Sequence, residues 1–69
     1  MKNNIKLYRA KRNITQAKLA EDVSVTRQTV ISLEREKYEP SLKLAYRISS
    51  YFGVRIEEMF VLEELDEEE

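Results

Sequence analysis

The chain has 69 residues, enough for one domain, with a single glycine, a single proline and neither cysteine nor histidine. This composition excludes disulfides, the common zinc sites, glycine-rich phosphate loops and nucleophile–histidine pairs, so we expect a protein that is not an enzyme and has no metal or cofactor. Residues 1–47 hold eleven lysines and arginines against five acids, whereas residues 48–69 hold one arginine against eight acids. A basic body with an acidic end is compatible with binding to nucleic acid, despite a net charge of −1.

The first predicted helix covers residues 4–12, where one of two asparagines, Asn3 or Asn4, can cap the N-terminus. A second helix is predicted from Gln16 to Val23, with Thr15 as its N-cap. Both segments carry apolar residues at helical spacing, which predicts two helices packed on a shared core. These apolar positions are Ile5, Leu7 and Tyr8 in the first helix and Ala17, Leu19, Ala20 and Val23 in the second.

A third helix is predicted from Arg27 to about Glu36, after a joint of three residues, 24–26. Ala20 is small at the position where the second and third helices must approach closely, and Val25 fills the corner between them. Two short helices joined in this way are typical of a helix-turn-helix, whose second helix lies in the major groove of DNA. The inward-facing positions of this helix are Val30 and Leu33.

A fourth helix is predicted from Leu42 to about Phe52, with Ser41 as its N-cap and Gly53 after its end. Glycine suits that position because a positive φ costs it least. A short fifth helix is predicted over residues 55–60. The apolar positions of these two helices are Leu42, Leu44, Ala45, Ile48 and Phe52, followed by Ile56, Met59 and Phe60.

We expect the chain to divide into a helix-turn-helix domain, residues 1–60, for which the third helix suggests DNA binding, and a segment that serves dimerisation and ends in an acidic tail, residues 61–69. Residues 61–65 are compatible with two structures, a short β-strand or an extension of the fifth helix. The last four residues are all acidic, and we expect no packed structure and no metal site there. No apolar run approaches the roughly 18 residues of a membrane span, and no signal peptide is visible, so we expect a cytoplasmic protein that does not bind membranes.

Polar residues at the start of the third helix suit the recognition of base pairs. Arg27 can donate two hydrogen bonds to guanine, and Gln28 can pair with adenine. Thr29 can meet a thymine methyl group or a phosphate, and Ser32 faces the same way one turn later. Gln16 opens the second helix, where exposed amides and the helix dipole favour a phosphate. We therefore expect this surface to bind double-stranded DNA.

These segments together resemble the lambda-repressor-like Cro/CI, or XRE, family over roughly residues 4–60. The matching stretches are Arg9-x5-Thr15-Gln16-x2-Leu19-Ala20, Val25-Thr26-Arg27-Gln28-Thr29-Val30-x2-Leu33-Glu34, Pro40-Ser41-Leu42 and Gly53-Val54-x-Ile56-Glu57-Glu58-Met59-Phe60. The resemblance is greatest to the very short members, which have almost no additional domain. It implies an all-α, five-helix DNA-binding domain that regulates transcription.

The resemblance also implies roles for individual residues. Arg9 and Glu34 match a pair that forms a salt bridge between the first helix and the recognition helix. Glu36 departs from the family pattern, since many members have glycine there, and the turn that carries Lys37 can therefore take a different course. The positions that match DNA contacts are Gln16, Thr26, Arg27, Gln28, Thr29 and Ser32, with Lys37 as a contact to the backbone.

A dimer is expected because one such module makes a small interface with DNA, on the order of 600–1,000 Å². Two copies on a two-fold axis would bind two half-sites of a palindromic operator, about 34 Å apart. We expect the spare apolar surface, and hence the dimer interface, at Phe60, Val61, Leu62 and Leu65.

The resulting interpretation is a dimeric transcriptional repressor, because no activation domain is visible. The alternative from another class is a module that uses the same fold to bind a protein, such as an antitoxin. The tyrosines, at helical spacing, favour packing over stacking on single-stranded nucleic acid; they are Tyr8, Tyr38, Tyr46 and Tyr51. No domain that would sense a small-molecule inducer is visible either.

Overall fold

The computed structural model describes residues 1–61, which fold into five helices and contain no β-strand. These are α1 (Ile5–Arg12), α2 (Gln16–Asp22), α3 (Arg27–Glu34), α4 (Leu42–Phe52) and α5 (Ile56–Met59). The all-α class and the order of the five predicted helices are confirmed. The third helix ends two residues earlier than predicted, and the fifth is one residue shorter at each end. None of the five is long and apolar enough to cross a membrane.

Short hydroxyl side chains begin three of the helices, as the sequence predicts. Each accepts a hydrogen bond of 3.0–3.1 Å from a backbone amide three residues on: Thr15 from Lys18, Thr26 from Thr29 and Ser41 from Leu44. Such a cap is worth about 1 kcal/mol. Gly53 ends α4 with a φ of 71°.

The start of α1 departs from this pattern. Asn4 occupies the N-cap position without a capping hydrogen bond from its side chain, whereas Asn3 Oδ1 accepts from the backbone amide of Ile5 at 3.1 Å. The side-chain nitrogen of Asn3, Nδ2, donates to the carbonyl of Leu33 at 2.7 Å. The asparagine before the helix therefore also joins the N-terminus to the end of α3.

The inner faces of all five helices form one core. Its buried members are Ile5, Leu19, Ala20, Val23, Val30, Leu33, Leu44, Ala45, Ile48, Phe52, Met59 and Phe60. Three predicted apolar positions are exposed instead: Leu7 at 51%, Ala17, and Leu42 at 77%. Tyr8 and Ile56 are half-buried against the core. Leu42 lies in the first turn of α4, on the helix face that periodicity predicts to be buried, but the other described residues leave that end of the face largely uncovered.

The N-terminal residues pair with the end of α5. The Asn4 amide donates to the carbonyl of Met59, and the Val61 amide donates to the carbonyl of Lys2, both at 2.8 Å. Asn3 and Phe60 form an isolated antiparallel bridge between these hydrogen bonds. Extended backbone thus begins at Phe60 and still belongs to the domain at Val61, while residues 62–65 lie outside the described part of the chain.

Candidate nucleic-acid interface

The joint between α2 and α3 is a tight turn with specific backbone requirements. Ser24 adopts a left-handed conformation with a φ of 64°, and the Val25 amide donates back to the carbonyl of Ala20 at 2.9 Å. Ala20 is buried where the two helices meet. A methyl side chain at this point allows α3 to cross α2 closely, so that the start of α3 projects from the surface.

The residues predicted to contact bases occupy that projecting start. Arg27 and Gln28 are exposed, while Thr29 and Ser32 are half-buried on the same helix. The hydroxyl groups of Thr26 and Thr29 lie 3.0 Å apart, and that of Thr26 also accepts from the Thr29 amide. Arg27 and Gln28 therefore provide the freely accessible hydrogen-bonding groups, while the two threonine hydroxyls are engaged with the helix end.

A shallow pocket of about 200 Å³ opens beside these residues. Its walls come from four of the predicted contact residues and from one side chain outside the helix; they are Thr26, Gln28, Thr29, Ser32 and Tyr38. The sequence assigned Tyr38 to packing, and the fold instead places it, 44% exposed, next to the recognition helix.

Arg9, Glu34 and Gln16 form a hydrogen-bonded cluster between α1, α2 and α3. Arg9 donates to both carboxylate oxygens of Glu34, from Nε at 2.6 Å and from Nη2 at 3.2 Å, and its Nη1 donates to the carbonyl of Ile14 at 2.8 Å. The third donor to Glu34 is Nε2 of Gln16, at 3.0 Å. This last hydrogen bond was not predicted, and it holds the Gln16 side chain at the rim of the recognition surface.

A polar pocket of about 370 Å³ adjoins this cluster. Its charged lining consists of four cations around one carboxylate, namely Lys6, Arg9, Arg27, Arg35 and Glu34. Because Arg9 neutralises Glu34, the pocket keeps an excess of positive charge beside the starts of α2 and α3, which suits a phosphate of the DNA backbone. Sequence reasoning missed Lys6 and Arg35; the only available signal was that Lys6 stands three residues before Arg9 on one helix face.

The turn after α3 keeps a left-handed residue despite the absence of glycine. Glu36 has a φ of 63°, and the Lys37 amide donates to the carbonyl of Ser32 at 3.0 Å. The turn therefore follows the course that a glycine would favour, and the departure at Glu36 does not redirect it. Lys37 is exposed directly after the recognition helix.

Exposed apolar surface lies on the far side of Tyr38. An open groove of about 610 Å³ has mainly apolar walls, contributed by Met1, Tyr38, Pro40, Leu42, Ala45, Ile56 and Phe60. Phe60 is only 1% exposed and forms the wall of this groove from within the core. The expectation that the spare apolar surface begins at Phe60 is thus wrong, because that side chain is buried in the common core. Val61 is half-buried, and Leu62 and Leu65 lie outside the described residues.

A second polar cluster lies on the other side of α2. The Tyr51 hydroxyl donates to Asp22 Oδ2 at 2.6 Å, and Lys18 Nζ lies 3.2 Å from Asp22 Oδ1. The hydrogen bond from Tyr51 lowers the pKa of Asp22, and the same bond raises the pKa of Tyr51. The hydrogen bond to Asp22 likewise raises the pKa of Lys18. Residues 1–61 contain no group of three or more acidic side chains arranged to hold a metal ion.

Comparisons with known proteins agree with this geometry. The helix-turn-helix family profile matches residues 5–59. The chain is 53% identical over 64 residues to an uncharacterised HTH-type transcriptional regulator of Methanocaldococcus jannaschii, covering 93% of this chain and 97% of that protein. It is 32% identical over 65 residues to the immunity repressor protein of Bacillus phage phi105, covering 94% of this chain and 45% of the repressor. The crystal structure of the clp gene regulator ClgR from Corynebacterium glutamicum is also similar, with a TM-score of 0.71 and 26% identity over 77% of this chain and 56% of ClgR.

Proposed function

This chain belongs to the helix-turn-helix family of Cro/CI, or XRE, type and is a DNA-binding transcriptional regulator, and we propose that it represses transcription in the cytoplasm as a dimer on a palindromic operator. The observation that carries the proposal is the exposed start of α3, where Arg27 and Gln28 stand beside a pocket rich in cations. Repression is favoured by the likeness to a phage immunity repressor.

Arg27 and Gln16 take different parts in the proposed complex. Arg27 is exposed at the start of the recognition helix, and its planar guanidinium matches two acceptors of guanine in a way that lysine cannot. Gln16 is held at the rim by Glu34, so its second amide hydrogen remains available for a phosphate. Arg27 therefore selects a base pair, and Gln16 anchors the backbone.

The test begins with selection of binding sites from random duplex DNA by the purified protein. Arg27→Ala and Gln16→Ala are then titrated against the selected site, its single-base variants and unrelated duplex at several salt concentrations. Arg27→Ala should cost about 1–3 kcal/mol per half-site and relax the preference at one base pair. Gln16→Ala should weaken all sequences about equally and leave the salt dependence unchanged, because a neutral side chain releases no counterion.

Two outcomes would contradict this division of roles. If Arg27→Ala weakened every sequence equally, Arg27 would be a backbone contact and base recognition would pass to Gln28, Thr29 or Ser32. If selection returned no preferred sequence at all, the proposal of a sequence-specific repressor would fail as a whole.

The groove lined by Tyr38, Leu42 and Ile56 supports the dimer part of the proposal. Leu42 is 77% exposed within residues 1–61, and burying a leucine side chain contributes about 1.5–3 kcal/mol. A second copy seated on this groove would sit next to the recognition surface, because Tyr38 borders both. We place the dimer interface on this groove, together with the predicted contacts at Val61, Leu62 and Leu65.

Sedimentation equilibrium at tens of micromolar tests the interface. Leu42→Glu should yield a monomer, while Tyr46→Glu, which changes an exposed residue of the same helix outside the groove, should remain a dimer. Truncation after Val61 removes Leu62 and Leu65 and keeps the buried Phe60. It therefore measures separately how much Leu62 and Leu65 contribute to dimerisation. A full-length protein that sediments as a monomer would refute the dimer.

A further inference from the structure

We propose that the pocket between α3 and Tyr38 receives the 5-methyl group of a thymine, so that Tyr38 contacts a base from outside the recognition helix. The inference rests on the proposed function as a DNA-binding regulator. It selects the thymine methyl group over a phosphate as the partner of Thr29, and it adds a residue that the helix-turn-helix itself does not contain. The pocket is the one of about 200 Å³ lined by Thr26, Gln28, Thr29, Ser32 and Tyr38.

The two threonines favour an apolar ligand group over a polar one. A threonine Cβ carries one hydroxyl and one methyl group. The hydroxyls of Thr26 and Thr29 are 3.0 Å apart, and the amide of Thr29 donates to Thr26 Oγ1 at 3.1 Å. Since both hydroxyls already take part in capping α3, much of their hydrogen-bonding capacity is used within the protein, and the lining of the pocket is mainly carbon.

Tyr38 is held beside the helix by the turn that precedes it. The Lys37 amide donates to the carbonyl of Ser32 at 3.0 Å, which returns the chain alongside the last turns of α3. The next residue, Tyr38, then supplies an aromatic wall to the pocket while remaining 44% exposed. A base edge that approaches Gln28 or Thr29 in the major groove would therefore meet this ring as well.

Thymine is the base whose chemistry matches such a pocket. In the major groove the purines present acceptors and amino groups and cytosine presents an amino group, whereas thymine alone presents a methyl group. Arg27 and Gln28 remain exposed for hydrogen bonds to neighbouring base pairs. The pocket thus recognises a methyl group by its shape and by apolar contact, next to two residues that recognise hydrogen-bonding groups of the bases.

Deoxyuridine gives a direct test, because it keeps every hydrogen-bonding group of thymine and lacks only the methyl group. Each thymine of the selected operator is replaced by deoxyuridine, one position at a time. We expect one position per half-site at which affinity falls about fourfold, the effect of withdrawing one methyl-sized group from apolar contact. Replacements at other thymines should change affinity much less.

Protein variants assign that effect to the pocket. Thr29→Ser keeps the hydroxyl and removes the methyl group, and Tyr38→Ala removes the ring. Each variant should bring the ratio of the affinities for the thymine and deoxyuridine duplexes at that position close to one. Tyr46→Ala, at an exposed tyrosine outside the pocket, should leave the ratio unchanged. The ratio is the readout because Tyr38 also borders the apolar groove, and a weakened dimer would lower affinity for both duplexes equally.

The possible failures can be told apart. If no thymine is sensitive to deoxyuridine, or if sensitivity persists in both Thr29→Ser and Tyr38→Ala, the pocket does not bind the methyl group, although sequence-specific binding stands. If selection yields no preferred sequence, the proposed function fails and this inference with it. Circular dichroism of Tyr38→Ala checks the fold, and Thr29→Ser supplies the answer if that variant unfolds.

Discussion

Two polar clusters with similar chemistry lie on opposite sides of α2. Each joins a cation, a carboxylate and a neutral hydrogen-bond donor: Arg9, Glu34 and Gln16 in one, Lys18, Asp22 and Tyr51 in the other. Their burial differs. The side chains of Arg9 and Glu34 are 15% and 7% exposed, whereas those of Lys18 and Asp22 are 59% and 24% exposed. We call them the inner cluster and the outer cluster.

The comparison teaches that position in the fold decides what an ion pair contributes. Water and salt screen the outer pair, so each partner keeps most of its solvation when the other is removed. In the inner cluster, removal of Arg9 would leave the Glu34 carboxylate with little access to water and only Gln16 as a donor. The inner cluster also connects three helices, and therefore sets the orientation of α3 relative to α1 and α2.

The largest expected effect comes from breaking the inner pair. Arg9→Ala should lower the free energy of unfolding by about 3 kcal/mol, the low end for a fully buried pair, because some water reaches Arg9. Lys18→Ala should cause a much smaller loss, since its partner is open to solvent. Urea denaturation at neutral pH measures both variants. Equal shifts in the two midpoints would show that Arg9 behaves as an ordinary surface charge and would remove the distinction between the clusters.

A third acidic residue sharpens the comparison, because its backbone rather than its charge is expected to matter. Glu36 follows the inner Glu34 by two residues and holds a φ of 63°. A left-handed conformation costs a side-chain-bearing residue roughly 1–2 kcal/mol, and glycine loses about 0.5–1 kcal/mol more chain entropy on folding. Glu36→Gly should therefore stabilise the protein by about 0.5–1 kcal/mol.

The matched control for Glu36→Gly is Glu36→Gln, which removes the charge and keeps the Cβ atom. It should leave the midpoint of thermal unfolding nearly unchanged. A gain from Glu36→Gln as large as that from Glu36→Gly would show that the charge, and not the backbone, limits stability at the end of the recognition helix.

Local signals predicted the fold well because they act over a few residues. Thr15, Thr26 and Ser41 cap helices in the structure, and Gly53 ends α4, since capping depends only on the side chain and the next turn. Leu42 was placed wrongly for the opposite reason. Periodicity defines which residues share a helix face, but the length of that face covered by other elements depends on the tertiary arrangement.

The residues of the candidate site that lie on α3 could be predicted from the sequence, whereas those that surround α3 could not. Arg27 and Gln28 follow from the helix-turn-helix pattern alone. The hydrogen bond from Gln16 to Glu34 and the position of Arg35 depend on how α1 and α2 pack against α3, and no spacing in the sequence encodes that packing. Tyr38 was missed because it lies in a loop, where its role depends on the course of the turn through Glu36.

The smallest expected effect concerns the outer cluster and its dependence on pH. Tyr51→Phe removes the hydrogen bond that lowers the pKa of Asp22 and through which Asp22 raises the pKa of Tyr51. The stabilisation linked to ionised Asp22 is present above the ordinary pKa of 3.8, and it is lost as the pH falls through the lower pKa that Asp22 has in the folded protein. The stabilisation linked to the protonated Tyr51 hydroxyl is present below the ordinary pKa of 10.0, and it is lost as the pH rises through the higher pKa that Tyr51 has in the folded protein.

The difference in melting temperature between the wild type and Tyr51→Phe should therefore be small and constant between these two limits and shrink on either side. Tyr46→Phe is the control, because Tyr46 is exposed and outside the cluster, and its difference should stay near zero throughout. A difference for Tyr51→Phe that persisted unchanged into strong acid could not come from a hydrogen bond to ionised Asp22. The hydroxyl would then stabilise the fold through packing between α2 and α4, and the outer cluster would owe its effect to contact rather than to charge.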